Sequence, residues 1–552
     1  MHFTNSHSSI DASLSSTLKQ TRLKETPRGV SVSREVTVQN SIEPAFFHLP
    51  VEIHSKIIRC LDFRGVTRLA KVCKYLHTLV KQDRAVESAW FRRFPEPHQY
   101  QLKTLITAKD DQQLCDWLKP IVNKEAVESL VKQRNNAYFP ALLLFTNSQR
   151  MSQCEQFELV EKAKISQKYH IKGGNFSPDS RHVMTVADNV AKIHSQKAGG
   201  SWEEKNTICH KRFIKSANFS PDSRHLVTAS PYGKAKICDL GDDGSWEEKI
   251  TISDNTTLRS VNFTSDSRHV VTANCGDATV RIYGLETGGL WEEKTTIQHN
   301  FPVVFASLNS DGHHLLVADR KHTAAIYVQD DDGTWTVKDT FTHGDTIYCA
   351  TFSTDGRYLV TSSSDGKAKI RGLQTDGSWK KITTISHGKT NVFAEFSSDG
   401  RHLLTFSTDG TVKIYGHKAP GSWVKEAIIW HDGELNSARF SASGRHVAAC
   451  IANTAYIYSH EAPGLWVKTA TIAHEDAIWS ATFSPDECLV VTASDDKTAK
   501  IYGLGANGSW LEKAIISHKN WITSASFSAD SRHVLTAGFD CEATITELGW
   551  KD

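Results

Sequence analysis

From residue 157 onward, apolar and polar positions alternate with period two in short runs bounded by Gly, Asp, Ser or Pro, the pattern of antiparallel strands joined by tight turns. The runs recur. An apolar strand, a turn and a second apolar strand read NFSPDSRHVMTV, NFSPDSRHLVTA, NFTSDSRHVVTA, SLNSDGHHLLVA, TFSTDGRYLVTS, EFSSDGRHLLTF, RFSASGRHVAAC, TFSPDECLVVTA and SFSADSRHVLTA. Their anchors, Phe176, Phe219, Phe263, Leu308, Phe352, Phe396, Phe440, Phe483 and Phe527, lie 43 to 45 residues apart in nine copies. Each copy continues with a strand such as TVKIYG and then one opening on Trp, as in GSWVKEAII. N-terminal to the repeats the apolar spacing is helical instead: Ile53, Ile57, Ile58 and Leu61 share one face, as do Val66, Leu69, Ala70 and Cys73. Further segments carry Leu76, Leu79 and Val80, then Ala89, Trp90, Phe91 and Phe94 before Pro95 and Pro97. The spacing predicts four regions: a flexible Ser/Thr-rich tail (1–43), a helical module (44–94), a helical connector nearly free of Gly and Ser (95–156) and the repeats (157–552).

Four strands per ~44 residues is the unit of a β-propeller blade. An open stack of such sheets would leave two exposed edges, which soluble proteins avoid. The segment FELVEKAKIS (157–166) matches SWLEKAIIS (509–517), so an outer strand precedes the first anchor while the ninth copy ends without one of its own. The expected fold is a small all-α module and connector followed by a closed all-β propeller, nine-bladed, with an eight-bladed ring containing one aberrant copy as the alternative.

Composition narrows the function. Lys and Arg total 64 against 62 Asp and Glu, a formal charge of +2, so bulk electrostatics nominates neither nucleic acid nor membrane. No apolar run approaches the ~18 residues of a membrane span, and the N-terminus lacks the basic and apolar regions of a secretory signal. Eleven cysteines without a CxxC pair fit neither a disulfide framework nor a structural zinc site and point to the cytoplasm or nucleus. The 14 Trp and 26 His are unusual counts, and most are periodic.

The repeats resemble WD-repeat propellers, whose blades carry a His in the turn before the first strand and an Asp in a later turn. His210, His299, His343, His387, His431, His474 and His518 hold the His position, with Gln167 and Asp254 in the other two copies. Asp365, Asp409, Asp496 and Asp540 hold the Asp position, and Asp277 is shifted by one. The closing Trp-Asp is absent; Tyr283, Tyr327, Tyr415, Tyr458 and Tyr502 stand at its Trp. The resemblance implies that the leading strand completes the last blade, that blades 1 to 4 are more loosely tied, and that partners bind the face formed by the His and Asp turns.

Residues 45–94 are similar to an F-box, through Leu49, Pro50, Glu52, Ile53, Ile57, Ile58, Leu61, Asp62, Leu69, Val72, Cys73, Leu76, Leu79, Trp90 and Phe91. The resemblance implies docking on the Skp-type adaptor of a cullin-based ubiquitin ligase, with Leu49, Pro50, Ile53, Ile57, Leu61, Leu69, Val72 and Leu76 as the adaptor-binding residues. A private three-helix core is the competing reading. F-box, helical spacer and propeller together are the layout of a non-catalytic substrate receptor with no cofactor, acting in the cytoplasm or nucleus, or inside a host cell if the source lacks a ubiquitin system. A propeller scaffold unrelated to ubiquitin is the alternative.

Candidate target-binding residues come from the turns flanking the His and Asp positions. Blade 9 offers Lys519, Trp521 and Phe539, blade 1 Lys168 and His170, and blade 2 Lys211, Arg212 and Phe213. Ring closure makes these neighbours. Blade 4 adds Arg320 and Lys321, whereas blades 7 and 8 offer Asp432, Glu434, Glu475 and Asp476. A basic and aromatic patch of this kind suits an acidic or phosphorylated protein segment; scattered solvated charges are the competing reading. The His of the blade turns, one per blade, read as hydrogen-bonded clamps rather than metal ligands. A second His series (His182, His225, His269, His314, His402, His446, His533) is expected to be solvated, and the Trp series from Trp202 to Trp510 to pack between blades. The GLGANG run at 503–508 formally matches GxGxxG but leads into a strand, so it reads as a turn.

Overall fold

The structure, a computed structural model, describes residues 139–550 except 198–199, 232–233, 254–256, 389–390, 463 and 506–507, together with Ser55, Ile58, Leu61 and a discontinuous set between 66 and 136. The expected tail, Asp254 and the F-box positions Leu49, Pro50, Ile53, Ile57 and Val72 lie outside the described residues.

Residues 157–550 form nine antiparallel four-stranded sheets. Blade 1 is built from strands β2 (Ile171–Phe176), β3 (His182–Ala187), β4 (Val190–Gln196) and β5 (Trp202–Cys209), hydrogen-bonded in that order. The same order recurs through blade 8, and the first strands of neighbouring blades touch one another around the axis. Blade 9 takes its outer strand from the other end of the repeat region: β1 (Phe157–Ser166) pairs antiparallel with the last strand, Glu542–Trp550, from Glu158 opposite Gly549 to Ser166 opposite Glu542. Lys162 meets Glu547 at 2.6 Å and Lys164 meets Glu542 at 2.9 Å across this clasp. Nine blades and closure by the leading strand are thus as the repeat spacing predicts, and the eight-bladed alternative falls.

Why nine sheets cohere follows from the alternation. Second strands are buried on both faces, as in Leu489–Ser494, so each blade offers apolar side chains to both neighbours. The apolar residues accordingly group by seam: Val227, Ile237 and Ile252 of blade 2 pack with Val261, Val270 and Trp291 of blade 3, and Ile171 and Val183 of blade 1 pack with Leu535 and Ile545 of blade 9. The last seam is also stitched by polar groups. The Ala529 amide donates to Ser180 Oγ at 2.6 Å, and Thr523 Oγ1 to the Ile171 carbonyl at 2.9 Å.

The two edges of the ring are tied differently. On the upper edge, which carries the turns between blades, His343, His474 and His518 each bridge an Asp and a Thr of their own blade: His474 Nδ1 to Asp496 at 2.7 Å and Nε2 to Thr492 at 2.7 Å, His518 to Asp540 and Thr536 at 2.8 Å each. His387 bonds Thr405 and stands 3.7 Å from Asp409. Elsewhere the clamp is improvised. Gln167 reaches Thr185, His210 has Thr228 but no Asp, and His299 pairs with Asp319 and the Tyr327 hydroxyl. Asp277 caps its own turn through Thr279 and Arg281 instead of meeting a His.

On the lower edge most of the second His series is buried, which corrects the sequence expectation; His269, with a 42% exposed side chain, stays solvated as expected. Six of the Trp that open an outer strand pack on the Phe anchor of their own blade and against the second-series residue of the preceding blade. Trp246 lies 5.7 Å from Phe219 and 5.1 Å, edge-on, from His182. The same contact joins His225 to Trp291, His314 to Trp379, Tyr358 to Trp423, His402 to Trp466 and His446 to Trp510. Sequence spacing placed these His beside a turn, but the ring that covers His182, His225, His314, His402 and His446 comes from the following repeat.

Among the described residues, the N-terminal part is helical: α1 (Lys74–Gln82), α2 (Ala85–Phe91), α3 (Asp111–Leu118), α4 (Lys124–Val131) and α5 (Phe139–Gln153). Trp90 and Phe94 share one core with Ile106, Leu114, Leu118, Val127 and the α5 residues Phe139, Leu143 and Leu144, and Ala442 of blade 7 packs against it. Further along α5, Met151 enters the blade 8–9 core, and Ser148 Oγ lies 2.7 Å from Cys488 Sγ. Blade 8 departs from the repeat at this spot, with Glu487-Cys488-Leu489 where blade 1 has Ser180-Arg181-His182. Glu487 is buried and accepts from Ser443 Oγ at 2.7 Å, so the departure matches the helix that covers it.

Candidate partner-binding site

In seven blades the innermost strand carries a register shift after its first buried residue, for instance between Ile171 and Gly173, between Leu258 and Ser260 and between Ile478 and Ser480. A bulge leaves one residue unpaired and re-aims its side chain. The bulged residues are Lys172, Arg259, Val304, Tyr348, Asn436, Trp479 and Thr523, with Lys215 just ahead of the inner strand in blade 2. Cations therefore occupy blades 1 to 3, and aromatic rings occupy blades 5 and 8. Burial first, then the Arg259 guanidinium, holds the Lys215 ammonium below the usual lysine range.

The turn residues nominated at the 9-1-2 seam come together. His170 stacks flat on Phe539 at 4.5 Å, and Trp521 meets the same ring edge-on at 5.5 Å, giving a three-ring ladder across the closure of the ring. Lys172 lies over Phe213 at 5.2 Å and carries the ladder's surface into blade 2. Trp521 is 43% exposed and Phe213 40%, so large apolar rings stand in solvent, framed by exposed Lys168, Lys211 and Arg212. Lys519 is exposed and leans toward Glu542 at 3.6 Å. Beside it a cleft of about 530 Å³ runs along the clasp, lined by Lys164, Lys519, Glu542 and Thr544. Arg320 is exposed on blade 4 and stands apart from this group, with blade 3 between.

Sequence reasoning missed Lys172, Lys215 and Arg259. The signal was available as the residue after the first buried Ile or Leu of each inner strand, but the bulge that turns it outward is invisible in an alternation pattern. It also missed a second ladder, Tyr348 on Phe393 at 5.7 Å and Phe393 on Phe406 at 5.1 Å, across blades 5 and 6. The acidic turn residues Asp432, Glu434, Glu475 and Asp476 are exposed on blades 7 and 8. Within the helical module, Leu61 and Leu69 are partly buried against a cluster of Ile58, Val66, Leu79, Val80, Ala85 and Ala89. Leu76 is only 1% exposed, so in this conformation its side chain is not offered to a partner.

A ring of antiparallel blades with His–Asp–Thr clamps on the turn-bearing edge defines the class: a WD-repeat β-propeller. The profile of the WD domain, G-beta repeat, matches residues 202–239, 246–284, 335–371, 379–416, 466–503 and 510–545, and the F-box-like profile matches residues 46–91. The chain is an F-box/WD-repeat protein, an F-box-like domain followed by a nine-bladed propeller. Among solved structures it is similar to Sqt1 from Chaetomium thermophilum, at 13% identity over 71% of this chain and 100% of that one, with a TM-score of 0.47. It is also similar to the C-terminal WD40 domain of Sif2, at 16% identity over 70% of this chain and 98% of that one, with a TM-score of 0.46. Comparison with curated proteins gives no match.

Proposed function

We propose that this protein is the substrate-recognition subunit of a cullin-type ubiquitin ligase, in the cytoplasm or nucleus, or inside a host cell if the source has no ubiquitin system of its own. The observation that carries this reading is the order of parts in one chain: an F-box-like domain at 46–91, then a helical stretch whose last helix packs on the propeller, then the WD repeats. In this reading residues 46–91 dock on a Skp-type adaptor, the propeller holds a protein target, and other subunits supply the chemistry, so no residue of this chain is catalytic and no cofactor is needed. Capture by a Skp-type adaptor tests it. The full chain is expected to be retained, and Leu49→Ala with Pro50→Ala to be lost; retention of the variant, or no capture of the wild type, would favour a scaffold outside the ubiquitin system.

The target-binding surface in this reading is the 9-1-2 seam, and its occupant is an acidic or phosphorylated segment. Exposed rings supply apolar anchoring, and Lys168, Lys172, Lys211 and Arg212 supply the countercharge. Lys211→Glu with Arg212→Glu is expected to abolish target capture while leaving the adaptor bound. Unchanged capture would remove the seam from consideration.

A further inference from the structure

On the lower edge between blades 6 and 7, His402, Glu426 and His460 each bring one ligand atom to within 4.8 Å of the other two. His402 Nε2 stands 3.6 Å and His460 Nε2 3.9 Å from Glu426 Oε2. Both separations are too long for hydrogen bonds. They are close to what one ion requires, because two ligands held about 2.0–2.1 Å from a tetrahedral zinc stand about 3.4 Å apart. We propose that His402, Glu426 and His460 form a divalent transition-metal site, of the two-His, one-carboxylate kind suited to zinc, that fastens blade 6 to blade 7.

The repeat itself marks the site as a departure. Three positions after the outer-strand Trp, sister blades carry Lys205, Lys249, Lys294, Lys338 and Lys513, and Glu426 reverses that charge. At the position of His460, other blades have Gln196, Leu240, Leu285, Gln329, Leu373 and Leu504. Blade 6 has His417 there, but His417 bonds the Tyr358 hydroxyl at 2.8 Å, and Ile382 stands at the Glu426 position of that seam. The three ligand types therefore coincide at one seam among the described residues.

The surroundings suit an ion. The Glu426 side chain is 2% exposed, in a slot opened by Gly416, where a Cβ would collide with the carboxylate. Lys418 holds its other oxygen, Oε1, and Trp466 Nε1 donates to Oε2 at 3.4 Å, orienting the group from both sides. Blade 7 also has a reduced upper clamp: His431 meets the Tyr458 hydroxyl at 3.4 Å, and Ala449 stands where seven sister blades have Thr. A metal tie at the lower edge would compensate there.

The test is zinc binding by the full chain, measured by competition with a chromophoric chelator, with cobalt as a spectroscopic substitute. One zinc per chain is expected, with the visible absorption of four-coordinate cobalt and a raised Tm on metal addition. Glu426→Lys and His460→Leu install residues that the fold already accommodates at these positions in other blades. Each is expected to weaken binding on the order of 100-fold and to remove the Tm response. If the folded wild type binds no zinc, or if both variants bind as it does, the site does not exist. The cobalt spectrum of the wild type decides even if a variant fails to fold.

Discussion

The upper and lower edges of this propeller solve different problems with the same residue type. Upper-edge histidines act inside a blade, where His474 with Asp496 and Thr492 locks the turn between two strands to the strand beside it. Lower-edge histidines act between blades, where His182 covers Trp246 of the next sheet. The first contact is a network of short hydrogen bonds, the second a packed pair of rings. The upper set is complete in only some blades while the lower set joins at least six seams, so cohesion of the ring rests on the edge away from the candidate partner surface. Side chains on the upper edge are thereby released for recognition, which suits exposed Trp521, His170 and Phe213 standing there.

The largest expected effect breaks the lower edge. Trp246 is 3% exposed between Phe219 and His182, and Trp246→Ala is expected to cost about 3–5 kcal/mol, measured by denaturant unfolding. A loss under about 1 kcal/mol would remove the lower edge from its leading place. His474→Ala on the upper edge should cost less, about 1–3 kcal/mol, through the unpaired Asp496 and Thr492 left behind.

Acid sharpens the comparison further. Burial, the leading cause, draws His210, His343 and His387 down to about 4 from an ordinary 6.5. The unfolded chain then takes up protons before the folded one does. Their contribution is therefore intact above pH 6.5 and is lost progressively as pH falls toward 4. Tm measured across that window should decline, and the decline should shrink in the His343→Gln variant. The smallest effect on stability is expected from Trp521→Ala, within about 0.5 kcal/mol, although the same change should abolish target capture.

The ring was legible because its signal is repetition: the spacing of Phe176, Phe219 and their successors counts blades without knowledge of any contact. The match of 157–166 to 509–517 likewise foretold the clasp. What escaped was anything that depends on the neighbouring repeat. His182 looks exposed until Trp246, one blade on, is laid over it, and Lys172 looks like an ordinary inner-strand residue until the bulge turns it outward. At the seam, reading turn residues by position found His170, Trp521 and Phe539 because ring closure could be inferred first. Arg320 was grouped with them on charge alone, and distance along the ring separates it.

The clasp between β1 and Glu542–Trp550 also sets an order of events in time. As the chain leaves the ribosome, β1 emerges directly behind α5 and has no partner until almost four hundred further residues have been made. Eight blades can assemble in sequence while an unpaired strand waits at the front of the stack, an edge of the kind that invites pairing with other chains. Closure is then the longest-range strand pairing among the described residues and must wait until blade 9 has been made. A product stalled before Glu542 would hold an open arc with both edges exposed.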